Sequence, residues 1–306
     1  MIDGIKVIDG HMHLLSTPSV VREENRLAGK SDSFRKGYQI WKEGFKKRFN
    51  SPFAEKSSLD NRGLAAAWCS ELDEAGVDIA CFIAEDQEDD ELTDFLSSNP
   101  KRFLGLTTID PRNKNAIELL RHRIKDQCYH GLKLYPTTLG FSVADPMLYP
   151  IYEEARGLGI PIVIHMGITL SYEADLRYAN PIDLHAPARD FPELNFIIPH
   201  FGAGFFRELL FLAYHLPNVV LDTSGTNRWI EYVSEKINLE DVFKKALFAF
   251  GPEKIIFGTD SRSLSQGYRT NVLYEQLNIL KGLNLGRTAT EQIFCENAQR
   301  IYSISL

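Results

Sequence analysis

The chain has 306 residues, 44% apolar and 25% charged, within the range of an ordinary globular protein and long enough for one large domain. Lys and Arg number 34 against 41 Asp and Glu, a net charge of −7 that argues against a general nucleic-acid binder. The opening MIDGIKVIDGHMH has no basic region followed by an apolar stretch, and no later segment reaches the roughly 18 apolar residues of a membrane span, so a soluble, cytoplasmic protein is expected. Cys69, Cys81, Cys128 and Cys295 are scattered and form no C-x-x-C pair, which points to reduced, buried thiols rather than a disulfide scaffold or a thiolate zinc site.

Short β-branched runs alternate with longer amphipathic ones along the chain. Eight strands are predicted, at 5–9, 78–84, 103–109, 131–135, 161–165, 195–199, 219–222 and 254–257. The helical patterns between them include 64–75, 113–127, 205–216 and 268–280, and one opened by Asp145-Pro146 and ended by Gly157 or Gly159. Runs such as IPIVIH and KIIFGTD are apolar on both faces, as parallel strands covered by helices require. The whole chain, 1–306, therefore reads as a single (β/α)8 TIM barrel, with a doubly wound open sheet as the next choice.

Residues 14–60 are too many for an ordinary βα loop and form a helical insertion after strand 1. Phe34, Tyr38, Trp41, Phe45 and Phe49 recur there at helical spacing, and nine Lys or Arg stand against four acids between Arg22 and Arg48. The aromatic stripe suits a packed helix with a solvated basic face. As an element following strand 1 at a barrel mouth, the insertion is also placed to cap the site and attract an anion. The acids Glu85, Asp86, Glu88, Asp89, Asp90, Glu91 and Asp94 read as a solvated helix start, and Phe205, Phe206, Phe211 and Tyr214 as the packing face of a barrel helix.

His11 and His13 end the first strand in VIDGHMH, two apart and therefore on one side. His165 ends the fifth strand, His200 the sixth and Asp260 the eighth, so five metal-competent groups sit at strand C-termini, which meet at one mouth of a barrel. Three neutral imidazoles and one carboxylate leave a divalent ion with open coordination. Zn²⁺ is the first expectation, with Mn²⁺ and other divalent ions as alternatives. Lys133 on the fourth strand, Tyr135 after it, Arg228 after the seventh and Arg262 after the eighth are placed to bind substrate, Arg being suited to bidentate capture of a carboxylate. Asp222 and the glycines of HFGAG are expected to shape strand ends.

In order and spacing, VIDGHMH, GLKLYP, PIVIHMG, NFIIPHFGAG, VVLDTSG, KIIFGTD and FCENAQRIY resemble the amidohydrolase superfamily, within it the amidohydrolase-related group of metal-dependent hydrolases and aromatic-acid decarboxylases. The resemblance implies one metal held by His11, His13, His165 and Asp260, with His200 beside the water it activates. Binuclear relatives carry a carboxylated lysine at the position of Lys133, and two ions would follow if Lys133 were so modified; an uncarboxylated Lys133 near substrate is the preferred reading. The last motif departs from the group's usual aspartate, aromatic residue and proline, running Asp260-Ser261-Arg262-Ser263 instead.

The expected activity is hydrolysis of a small, anionic carbonyl compound such as an amide or lactone, with Asp260 moving the proton and His200 stabilising charge. Non-oxidative decarboxylation of a small carboxylic acid is the alternative, and a barrel that binds without turnover the third. The expected partner is a small-molecule substrate, neither nucleic acid nor membrane, with a homo-oligomer left open.

Overall fold

The computed structural model describes residues 2–49, 57 and 59–304. Among these, eight parallel strands lie in sequential order: β1 Ile8–His13, β2 Ile79–Ile83, β3 Phe103–Thr108, β4 Tyr129–Leu134, β5 Ile162–Ile164, β6 Phe196–Ile198, β7 Val219–Asp222 and β8 Ile255–Ile256. The helices are α1 Thr17–Ala28, α2 Asp32–Phe49, α3 Asn61–Ala75, α4 Asp90–Ser98, α5 Ala116–Asp126, α6 Pro136–Leu139, α7 Tyr149–Leu158, α8 His185–Asp190, α9 Phe206–His215, α10 Leu239–Phe250, α11 Thr270–Gly282, α12 Arg287–Glu291 and α13 Asn297–Ile301. The predicted (β/α)8 barrel is therefore the fold. Residues 50–56 and 58 of the predicted 14–60 insertion lie outside the described residues. No described helix is long and apolar enough to cross a membrane.

Local chemistry sets the boundaries. Ser16 and Ser19 form a capping box at α1, Asp60 accepts from the Gly63 N–H at the start of α3, and Gly159 ends α7 in the left-handed region. β1 begins three residues later than its predicted start, because Ile2 pairs with Ile5 across a tight turn through Asp3 and Gly4, and it runs on through the histidines alongside β2. A register shift between Asp9 and Met12 bulges β1 at Gly10 and His11, just before His13, a device that re-aims side chains at a barrel rim. In α9 the barrel-facing residues are Phe206, Leu209 and Leu212; Phe211 and Tyr214 point outward and are exposed, correcting the packing role expected for them.

Alternation along the strands divides the core in two. Ile8, Ile79, Cys81, Ile83, Leu104, Leu106, Val163, Ile197, Val220 and Ile256 fill the barrel interior, which Ala298, Ile301 and Tyr302 continue. Ala80, Phe82, Phe103, Leu132, Ile164, Phe196 and Leu221 belong to the outer layer that packs under the helices. Lys133 shares the parity of the interior set and is fully buried. Of the cysteines, Cys81 and Cys295 are buried, Cys69 and Cys128 half-buried, and all four are unbridged.

The barrel closes where the chain beyond β8 meets β1. Gly10 donates to Phe257 (2.9 Å), Asp260 to His11 (2.8 Å), His13 to Ser261 (2.8 Å) and Leu15 to Arg262 (3.0 Å), all through backbone groups. Buried Asp9 locks this seam: its carboxylate accepts from the Thr259 and His11 N–H groups (3.1 and 3.0 Å), the Thr259 hydroxyl and the Tyr268 hydroxyl (2.9 Å). Burial pushes the Asp9 carboxyl up to about 7 while these hydrogen bonds pull it down. Asp9→Ala strands the donors in the core and is expected to lower unfolding free energy by on the order of 3 kcal/mol, measured by urea denaturation.

Candidate metal centre

Strand order carries the predicted residues to one place. The rings of His11 and His13 lie 5.3 Å apart, His11 and His200 5.0 Å, and His165 and His200 5.1 Å. Asp260 Oδ1 is 3.4 Å from His13 Nε2 and 4.0 Å from His11 Nε2. Ligand atoms of His11, His200 and Asp260 all fall within 4.8 Å of one another. His200 and Asp260 both sit in the left-handed region, at φ 58° and 59°, a strained conformation for non-glycine residues that concentrates at functional sites.

Hydrogen bonds fix which nitrogen each ring offers. His11 Nδ1 bonds the buried Asp222 carboxylate, and its Nε2 is without a partner. His200 Nδ1 meets both the Ser224 carbonyl and the Ser224 hydroxyl at 3.0 Å; a proton on Nδ1 satisfies the carbonyl and leaves Nε2 as the lone-pair nitrogen. His165 uses Nε2 on the Ile168 carbonyl at 3.3 Å and keeps Nδ1 as its lone pair. Burial drives His11 and His165 well below the usual imidazole range, reinforced by Lys133 and His200, and burial also lowers His13. Burial alone would raise the Asp260 carboxyl, but the positive charge around it, of which the Arg269 guanidinium is the part that stays when the imidazoles are neutral, holds it below the usual carboxylate range. Neutral imidazoles with free lone pairs around an ionised carboxylate are the donor set a divalent ion requires, so these residues fit such an ion.

Groups read as something else from sequence also belong to the site. Asp222, expected to shape a strand end, is the carboxylate behind His11. Glu85, expected on a solvated helix start, has Oε1 3.5 Å from His13 Nδ1 and 3.1 Å from Arg262 Nε. Its neighbours Asp86, Asp89 and Glu91 surround Arg22 of α1, at 2.9, 3.6 and 2.7 Å, and Asp89 is buried. Arg269, outside the sequence reading, donates to Asp260 Oδ2 at 3.2 Å. An acidic run and a lone arginine carry no sequence signal for these partners, since each is met only across the barrel.

Among the predicted substrate binders, Lys133 Nζ lies 5.1 Å from the centre of the Tyr135 ring and has no hydrogen-bond partner. Burial lowers its ammonium to about 8 against the pull of Asp222, Asp260 and Glu85. The Tyr135 ring faces His165 at 6.4 Å. Arg262 is engaged by Glu85, and exposed Arg228 stacks on Phe49 at 5.0 Å.

The insertion meets the loops of this same mouth. Arg26 of α1 and Lys30 just beyond it pair with Glu173 after β5, at 3.0 and 3.4 Å. In α2, Phe34 and Trp41 contact Tyr172, and Phe49 contacts Tyr232 after β7. The aromatic stripe is thus spent on loops after β5 and β7, while Lys36, Lys46, Lys47 and Arg48 are exposed.

A metal-competent cluster at the C-terminal mouth of a (β/α)8 barrel defines a class of barrel enzymes, and the comparisons narrow it. The amidohydrolase sequence family matches residues 8–304, and the chain belongs to that family. A 2-amino-3-carboxymuconate-6-semialdehyde decarboxylase of Dictyostelium discoideum is 34% identical over 77 residues, 25% of this chain and 21% of that protein. Dihydroorotases from Yersinia enterocolitica and Edwardsiella ictaluri are also matched, so the chain spans about a fifth to a third of the length of the curated relatives it matches. In fold it resembles the 5-carboxyvanillate decarboxylase of Sphingomonas paucimobilis (TM-score 0.67, 15% identity, 99% and 100% of the two chains). It also resembles an amidohydrolase of Burkholderia multivorans (TM-score 0.65, 15% identity, 98% and 100%), which was crystallised in another form with zinc bound.

Gly258 allows a close approach at the site: a Cβ there would lie 2.8 Å from His11 Cβ and 3.0 Å from Ser224 Cβ. Gly258→Ala is expected to destabilise by about 1–3 kcal/mol in urea denaturation, against the gain that Gly→Ala brings where a methyl fits.

Proposed function

We propose that the protein is a metal-dependent hydrolase acting on a small anionic carbonyl compound, an amide, lactone or related group. The carrying observation is the convergence of neutral histidines with free lone pairs on an ionised Asp260. His11, His13, His165 and Asp260 would hold the ion, zinc first, manganese next, with one ion favoured over the two that a carboxylated Lys133 would bring. When bound, a divalent ion polarises a carbonyl and lowers the pKa of water toward neutrality.

The chain's own groups supply the rest. His200, its Nδ1–H fixed on the Ser224 carbonyl, presents Nε2 to stabilise developing charge or take up a proton. Arg269 holds Asp260 through Oδ2 and leaves Oδ1 turned to His11 and His13, and Asp260 would move the proton to the leaving group. Unpaired Lys133 Nζ suits an anionic group of the substrate, with Tyr135 beside it and Arg228 and Arg262 further out. Decarboxylation of a small carboxylic acid uses the same residues and is the second reading, favoured by the local likeness to the Dictyostelium decarboxylase.

Elemental analysis is expected to find about one divalent ion per chain, lost when His11→Ala and His13→Ala are combined. Chelation should abolish turnover and leave far-UV circular dichroism unchanged, since the ion is not what folds so large a core. A screen of lactones, amides and hydroxybenzoic acids, with carbon dioxide followed directly, separates the two readings: release of carbon dioxide without hydrolysis decides for decarboxylation. With the substrate in hand, Lys133→Met should raise KM on the order of 10-fold or more and change kcat less, as loss of one charged hydrogen bond requires.

A further inference from the structure

The two histidines of the H-x-H string face two different carboxylates. His11 turns Nδ1 to Asp222 and Nε2 toward Asp260. His13 lies the same way round, with Nδ1 3.5 Å from Glu85 Oε1 and Nε2 3.4 Å from Asp260 Oδ1. Asp222 ends β7 and Glu85 follows β2, so the two rings draw their carboxylates from opposite sides of the barrel. His13 Nδ1, Glu85 Oε1 and Arg262 Nε are shut away from water and form no hydrogen bond elsewhere or of good geometry with one another, so their nearest polar neighbours are each other, at 3.5 and 3.1 Å. Carboxylates thus face both ring nitrogens, and the arrangement that leaves Nε2 a lone pair to offer an ion beside Asp260 puts the proton on Nδ1, toward Glu85.

We propose that Glu85 is the positioning carboxylate of His13, fixing its tautomer and aiming Nε2 at the metal centre, with Arg262 holding Glu85 from the far side at 3.1 Å. The inference rests on the metal reading above and extends it to a residue outside the ligand set. It gives Arg262 work other than substrate capture, since its Nε faces the carboxylate. The arrangement matches a general feature of metal-binding histidines, whose second nitrogen meets a carboxylate or carbonyl that sets ring orientation and basicity. The opposing account makes Glu85 only the counter-ion of Arg262, tying the loop after β2 to the loop after β8.

The two accounts part on measurements that need no substrate. In metal-free protein, ¹⁵N NMR of the His13 ring is expected to show the proton on Nδ1, and Glu85→Leu should move it to Nε2, which free imidazole side chains favour. Glu85→Gln keeps the shape and is expected to weaken Zn²⁺ binding about 10- to 100-fold in a chelator competition, and to shift the visible spectrum of the Co²⁺-loaded protein. Glu85→Asp, which keeps the charge, should recover part of that affinity. An unchanged His13 tautomer in Glu85→Leu, or Zn²⁺ affinity of Glu85→Gln within twofold of wild type, overturns the proposal in favour of the counter-ion account. A wild-type chain that binds no divalent ion would instead overturn the hydrolase reading, and the tautomer measurement on metal-free protein still decides the role of Glu85.

Discussion

The seam between β8 and β1 is the constraint on which the rest of the molecule depends. A (β/α)8 sheet without it is an open ribbon with two edges, and the residues of chemical interest lie on both sides of the join. His11 and His13 stand on one side, Asp260 and Arg262 on the other, and the backbone bonds that close the barrel run through these same residues. Closing the sheet and assembling the site are therefore a single event. Asp9 stabilises it from within by gathering donors from β1, from Thr259 and from Tyr268.

Closure also forces an unusual density of charge into a dry space. The cations Lys133, Arg262 and Arg269 lie among the carboxylates Asp222, Glu85 and Asp260, with four histidines between them. Half-buried Arg269 and Arg262 each have a carboxylate partner at 3.1–3.2 Å. Lys133 has none, and its ammonium is lowered by burial as a result. One unsatisfied cation beside a set of free imidazole lone pairs is a site prepared for something the chain does not itself contain.

The insertion shows the same economy. Its excess of positive charge, read from sequence as a field for steering an anion, is partly consumed by local acids: Arg22 by Asp86, Asp89 and Glu91, and Arg26 with Lys30 by Glu173. Its aromatic stripe, the face that would pack a helix on a core, packs on Tyr172 and Tyr232 above the mouth. The charges bind the insertion to the barrel loops, and the rings pack between them.

How far the sequence reached follows from the range of the forces involved. Strand order, helix ends and the family motifs are written in local patterns: apolar runs of strand length, Asp60 and Ser16 at helix starts, Gly159 at a helix end. β1 was predicted to end at Asp9 rather than His13 because a polar, histidine-containing stretch has no strand signature; pairing with β2 makes it one. His11, His13, His165, His200 and Asp260 were legible because a barrel brings every strand end to one mouth, so linear position became position in space. Glu85, Asp222 and Arg269 were not, since what distinguishes each from any other charged residue is its partner across the barrel. The sequence by itself determined the barrel and the inventory of metal-competent groups. Only the tertiary structure decided which carboxylate stands behind which histidine, because burial and distance, not residue type, set the energy of a charge.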